Sequence, residues 1–352
     1  MPSSMRTPFK IGGEEVAPGT RRLVDLPVSK LSNHTPVTLP VHVLHGHRPG
    51  QTMFVSAAVH GDELNGVEII RKLLRTIRPE SLSGTLLCIP VVNTYGFLTR
   101  SRYLPDRRDL NRSFPGSTDG SLAARLAHLF LNEVALRSNI GIDLHTAAIH
   151  RVNLPQIRAD FLKRPRSREL AEAFGAQVVL NSPERSGSLR KAAREAGVDV
   201  IVYEGGEGLR FDDASIKAGY EGIVNVMHHI SMLELPDGVD PTERAPNIRP
   251  PIFTHMSRWI RAADGGVFRP RKRLSDAVSE NDLIGWIANP YEDTEIEVRT
   301  PVRGIIVGMT TLPIVNMGDA LFHIAWAEEF GRGKAPRDAA AAEVVPDEDE
   351  VL

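Results

Sequence analysis

His60, Glu63 and His145, in the segments HGDELNG and DLHTA, are the residues whose types and spacing most directly suggest chemistry. Two imidazoles and one carboxylate are the donor set of a catalytic zinc centre, which keeps one coordination position open, whereas structural zinc sites recruit thiolates. The chain has a single cysteine, Cys88, so a thiolate site is excluded. His60 and Glu63 stand three residues apart where an apolar run turns into a helical pattern, so both side chains can enter one opening. His145 also closes an apolar run. Asp143, two residues earlier, is placed to accept the second N–H of that imidazole, as ligand histidines usually require. The competing interpretation is a pair of strand-end histidines satisfied within the fold, and an HxxE pair alone does not decide.

A zinc hydrolase also needs a proton carrier near the metal that is not a ligand. Glu204 fits: it follows the apolar run Val200 to Tyr203 and precedes Gly205 and Gly206, which allow close backbone approach to substrate or metal. Glu207 is the competing candidate. A third cluster, RYLPDRRDLNRSFPG, carries Arg102, Arg107, Arg108 and Arg112 without helical or strand periodicity. Guanidinium forks bind carboxylates bidentately, and Asn111 with Arg112 suits recognition of a substrate carboxylate; Arg107 and Arg108 read as a solvated basic turn. His45 and His47 could form a second metal pair, but beside Arg48, Pro49 and Gly50 they read as a polar turn. His228 and His229 are adjacent in a helical segment and point to different faces, which disfavours chelation of one ion.

The elements that must position these residues alternate. Val37 to Leu44, Met53 to His60 and Leu86 to Val92 read as strands covered on both faces. After the second of these, Val67, Ile70, Leu73, Leu74 and Ile77 form one helical stripe. A helix over Leu122 to Leu136, a strand over Asn139 to His145, a helix over Ser188 to Gly197 and a strand over Val198 to Glu204 continue the series. Such alternation predicts an α/β domain with a mixed, largely parallel sheet and helices on both faces. After about Pro241 short β runs punctuated by Gly, Pro and Asp predict a smaller all-β module, with LPDGVDPTERAPNIRPP as the linker. The expected division is therefore a catalytic domain over 1–240, a β-rich lid or scaffold over 241–330 and a disordered acidic tail over 331–352, closing on Asp347 to Glu350.

The 352 residues leave room for two domains at roughly 150 residues each. Lys and Arg number 42 against 44 Asp and Glu, so there is no basic field to attract nucleic acid or anionic lipid. Cys88 lies in the apolar run Leu86 to Ile89, and a reducing compartment suits it. No stretch approaches the roughly 18 apolar residues that span a bilayer, and no apolar block follows the N-terminal charge. The expectation is a soluble, cytoplasmic protein without membrane or nucleic-acid partners, for which a homo-oligomer is compatible.

HGDELNG, DLNRSFPG, DLHTA and the strand-end YEGG, in that order, resemble the succinylglutamate desuccinylase and aspartoacylase family of zinc amide hydrolases, related to carboxypeptidase A. The likeness spans roughly Thr52 to Glu207, and the order of four motifs is far more specific than any one of them. The resemblance implies a zinc-carboxypeptidase-like fold and one zinc ion on His60, Glu63 and His145. It further implies a general base at Glu204, carboxylate binding by Asn111 and Arg112, carbonyl polarisation by Arg102, and a C-terminal β domain that narrows the site. The implied activity is removal of a small acyl group from an N-acylated amino acid or related carboxylate. The alternatives are a metallocarboxypeptidase acting on short peptides, or a metal-binding regulatory protein without turnover. Asp62 stands where many members carry Asn, the segment from Arg102 to Asn111 is longer than in aspartoacylases, and the aspartoacylase-type tyrosine has no counterpart. The general look is nearer the bacterial deacylases of N-acylated amino acids, acetyl-diaminobutyrate deacetylases included. PVRGIIVG and GDALFHIA resemble half of a barrel-sandwich of the lipoyl type without its modifiable lysine, hence a scaffold and not a carrier.

Overall fold

Met53, Val55 and Ala57 point to one side of their strand and Phe54 to the other, and all four are fully buried, so two separate apolar clusters sandwich the strand Arg48–Ala57. The computed structural model describes residues 6–235 and 250–327. Ser83–Ile89, Arg48–Ala57, Ile140–Ala147 and Asp199–Glu207 run parallel, side by side in that order. Pro36–His45 and Thr20–Lys30 extend the sheet antiparallel on one flank, and Arg151–Ala159 lies antiparallel to Asp199–Glu207 on the other. The sheet is thus mixed, with a parallel centre.

The helices Asn65–Thr76 and Asp213–His229 cover one face, where Ile69, Ile70 and Leu73 join Tyr203, Phe174 and Ile223. Leu122–Glu133 and Leu189–Glu195 cover the other, where Phe130 meets Phe54 edge-on at 5.8 Å. The first helix buries Ile69, Ile70 and Leu73, while Val67 and Leu74 of the expected stripe are only half-buried. Ser121, Ser188 and Asp212 cap their helices through side-chain oxygens, satisfying backbone N–H groups that the helix cannot.

Beyond residue 250, Gly304–Thr310, Ala320–Trp326 and Met256–Arg261 pair antiparallel in series, and Leu283–Ala288 anchors a separate four-stranded sheet. Ile260, Phe268, Ile287 and Phe322 share a core of their own. This all-β region is nevertheless hydrogen-bonded to the central sheet, because Gly304–Thr310 pairs with Arg151–Ala159 and Ile252–Thr254 pairs with Val178–Asn181. Most of the linker, from 236 to 249, and the acidic tail lie outside the described residues. Among the described residues, no helix is long and apolar enough to cross a membrane.

Two details differ from the sequence reading or extend it. His45 is not a turn residue: it ends the strand Pro36–His45, is buried, and its ring nitrogens contact Thr85 Oγ1 and the carbonyl of Thr7. Cys88 is fully buried, and burial pushes its thiol up to about 12. Since the thiolate is the reactive form, iodoacetamide at neutral pH leaves Cys88 unlabelled in the native protein and labels it after unfolding, as intact mass will read. Rapid native labelling would contradict this placement.

Candidate active site

The parallel strands deliver their carboxyl ends to one edge of the sheet, the usual position of a ligand crevice in such folds. His60 and Glu63 lie between the strand Arg48–Ala57 and the helix Asn65–Thr76, and His145 is in Ile140–Ala147. The two imidazole centroids are 5.0 Å apart. Glu63 sits between them, accepting from His60 Nδ1 at 2.6 Å on Oε1 and from His145 Nδ1 at 2.8 Å on Oε2. Each ring turns Nε2 away from Glu63, His60 to Asp109 Oδ1 at 3.2 Å and His145 to Asp143 Oδ2 at 2.8 Å. One ligand atom from each of the three residues lies within 4.8 Å of the others, and all three residues are buried.

Burial opposes charge on His60, and Arg102 adds to that opposition, but Glu63 and Asp109 outweigh both and hold the ring up to about 9. His145 is likewise raised against the cost of burial, by Asp143 and Glu63. Glu63 is held well below the usual carboxylate range because the two imidazoles overcome its desolvation. Two ring protons and one carboxylate thus share a small buried volume, and a divalent cation replacing those protons would satisfy the same three groups. The donors are nitrogen, nitrogen and oxygen, each imidazole is oriented by a carboxylate behind it, and these residues fit a catalytic zinc ion.

Around these three residues opens a solvent-connected cleft that Arg102, Asn111, Arg112 and Glu204 also line. Arg102 donates from Nε and Nη2 to Asp109 Oδ2 and places Nη1 3.6 Å from Glu63 Oε1. Asn111 and Arg112 sit in the short turn Leu110–Arg112, capped by Asp109, with Asn111 Oδ1 accepting from the backbone N–H of Leu189. Glu204 is buried beside His145, its register partner on the neighbouring strand. Arg107 and Arg108 are exposed, as the turn-like sequence suggested. Glu207 accepts from the backbone N–H of His150 and from Thr311 Oγ1 and is not in the cleft lining.

Asp109 is the principal residue that the sequence reading passed over, although it stands in the quoted DLNRSFPG motif. It joins His60 to Arg102, and its side chain is held well below the usual carboxylate range because His60 and Arg102 outweigh burial. Its signal was available as an Asp two residues before Asn111, the pattern of an Asx-capped turn. Asn153 and Arg158, which contact Glu204, were also passed over. The glycines after Glu204 also let the chain pass close to a helix start. Gly206 has φ of +82°, and an added Cβ would lie 2.3 Å from Asn65 Nδ2, which itself donates to the Gly205 carbonyl. The close approach here is to the helix start.

The chain is similar over 308 residues, at 27% identity, to the N-alpha-acetyl-L-2,4-diaminobutyric acid deacetylase of Halomonas elongata, with 82% of this chain and 86% of that one covered. A succinylglutamate desuccinylase/aspartoacylase from Rhodobacter sphaeroides superposes with a TM-score of 0.74 and 27% identity, over 87% of this chain and 96% of that one. The product-bound ectoine utilization protein EutE (DoeB) of Ruegeria pomeroyi shares the fold, with a TM-score of 0.75 and 22% identity over 88% of this chain and 95% of that one. The model of the succinylglutamate desuccinylase/aspartoacylase catalytic domain matches residues 49–230, just over half of the chain and the whole span that holds His60, Glu63, His145 and Glu204. On that match the chain belongs to the succinylglutamate desuccinylase/aspartoacylase family.

Proposed function

We propose that the protein is a zinc-dependent deacylase that hydrolyses the amide of a small N-acylated amino acid or related carboxylate, with one ion held by His60, Glu63 and His145. The chain is an amide hydrolase by family, and the deacetylase of Halomonas elongata is named for an N-acetylated amino acid. The observation that carries the reading is the buried His60–Glu63–His145 set, with Asp109 and Asp143 behind its imidazoles and Glu204 in the same cleft. A zinc ion supplies Lewis acidity, which polarises a carbonyl and makes water easier to deprotonate.

The remaining roles fall to side chains. Glu204 takes a proton from the attacking water at its carboxylate and returns it to the departing nitrogen. Arg102, fixed by two hydrogen bonds to Asp109, presents its guanidinium to the carbonyl oxygen as charge develops there. Asn111 and Arg112 hold the substrate carboxylate and with it the angle of attack. In this reading residues 1–240 carry the chemistry, 241–330 form a lid or scaffold, and the single buried Cys88 suits the cytoplasm.

Metal analysis of the purified protein, followed by a screen of N-acetyl, N-succinyl and N-formyl amino acids for released amine, tests the reading. Stoichiometric zinc with turnover of at least one class is expected; turnover undiminished by full metal removal would sink it. For whichever substrate is hydrolysed, Arg112→Ala raises KM about 10- to 100-fold, the effect of losing a charged hydrogen bond of about 1.5–3 kcal/mol. The carboxamide form of that substrate should show no such change. Equal effects on both forms would remove Arg112 from carboxylate binding.

A further inference from the structure

Glu204 is held on both oxygens by one strand. Asn153 Nδ2 donates to Oε2 at 3.1 Å, and Arg158 Nη1 lies 3.4 Å from Oε1. Both partners belong to Arg151–Ala159, which runs antiparallel to the Glu204 strand with Val202 opposite Arg158, Glu204 opposite Gln156 and Gly206 opposite Asn153. The two contacts therefore bracket Glu204 along the strand, one from each side. All three side chains are largely withdrawn from solvent, with Arg158 16% exposed and Glu204 7%. A carboxylate gripped at one oxygen can still rotate about its last torsion, which is soft. Gripped at both, it presents a fixed oxygen to the cleft.

The Asn153 arm is itself set from the C-terminal β region. Gly308, in the strand Gly304–Thr310, pairs directly with Asn153. A Cβ at Gly308 would lie 2.9 Å from Asn153 Oδ1, closer than real Cβ contacts allow, with His323 Cβ at 3.2 Å and Trp259 Cη2 at 3.6 Å as the next neighbours. The carboxamide that donates to Glu204 therefore rests with its other end against a glycine that has no room for a side chain.

We propose that Asn153 and Arg158 are positioning residues that clamp Glu204, and that the C-terminal β region takes part in the reaction by setting Asn153 through Gly308. The proposal rests on the reading of Glu204 as the proton carrier. It gives the β region a second task besides lidding: it aligns Glu204 through Asn153. Because preorganised geometry acts on the chemical step and not on substrate binding, the clamp should appear in kcat and leave KM nearly unchanged.

The test uses the full-length, zinc-loaded protein and whichever N-acetyl, N-succinyl or N-formyl amino acid the wild type turns over fastest. Asn153→Ala is expected to lower kcat about 10- to 100-fold with KM within about twofold, a share of the 10²–10⁴ that a positioned base contributes. Gly308→Ala, outside the cleft lining, is expected to lower kcat at least fivefold, about 0.7 log unit or more, by displacing the carboxamide. The double variant is then no slower than Asn153→Ala alone, since the added methyl has lost the group it displaces. Arg158→Lys keeps most of the kcat that Arg158→Met loses. Thermal unfolding of each variant separates these effects from loss of fold, and if Asn153→Ala does not fold, Asn153→Ser with Gly308→Ala carries the same cycle. Full kcat in Asn153→Ala and Gly308→Ala, while Glu204→Gln is inactive, overturns the clamp and leaves the base standing. Additive losses at 153 and 308 overturn the link to the β region. Normal turnover in Glu204→Gln removes the base itself, and the clamp with it.

Discussion

Glu204→Gln retains the bound metal and loses kcat by about 10²- to 10⁴-fold, the range associated with removing a positioned general base. The substitution is close to isosteric and keeps an oxygen for Asn153 to donate to, and the backbone pairing of Asp199–Glu207 with Ile140–Ala147 does not depend on the side chain. What goes is the capacity to take a proton, together with the ion pair to Arg158. Metal content by elemental analysis and kcat by amine release are measured on the same preparation, because the prediction lies in their separation. A variant that lost metal in step with activity would place Glu204 among the ligands, and one that kept full turnover would leave the reaction without its proton carrier.

His60→Ala and His145→Ala lose both metal and turnover, each to the level of chelator-treated protein. Removing either imidazole leaves two of the three donors and takes one partner from the carboxylate behind it, Asp109, which keeps Arg102, or Asp143, which keeps Ser56. A lost hydrogen bond to a buried charged group costs about 1.5–3 kcal/mol, so both variants also unfold at lower temperature when metal-free. Asp143→Asn is milder, with metal affinity lower by about 10- to 100-fold, as for outer partners of ligand histidines generally. Equilibrium dialysis with zinc and thermal unfolding with and without chelator read both effects. If His60→Ala bound zinc as tightly as the wild type, the assignment of the three ligands would fall.

These expectations draw on features that differ in how far the linear chain announces them. His60 and Glu63 were legible because their relation is local: three residues across a strand-to-helix turn can face only a few ways. Asp143 and His145 were legible as a pair because side chains two apart on a strand share a face. The central strands were legible as unbroken apolar runs, since a strand buried on both faces has no polar positions to spare. Residue chemistry and short-range geometry were thus enough to name a candidate metal set, which the fold brings together in one buried cluster, and the α/β frame.

What the linear order could not show is which distant segments meet. Asp109 reaches His60 only because the loop from Arg102 to Arg112 folds back over the strand ends, a closure with no periodicity to betray it. Asn153 and Arg158 reach Glu204 through the register of an antiparallel strand pair, and register depends on how two faces pack, which neither strand encodes alone. The β region reads from composition as a separate module, yet Gly308 opposite Asn153 continues the catalytic sheet into it. Backbone hydrogen bonds between strands carry no side-chain signature, so the chain by itself determined which groups are available for chemistry, and the tertiary structure alone decided which of them hold one another in place.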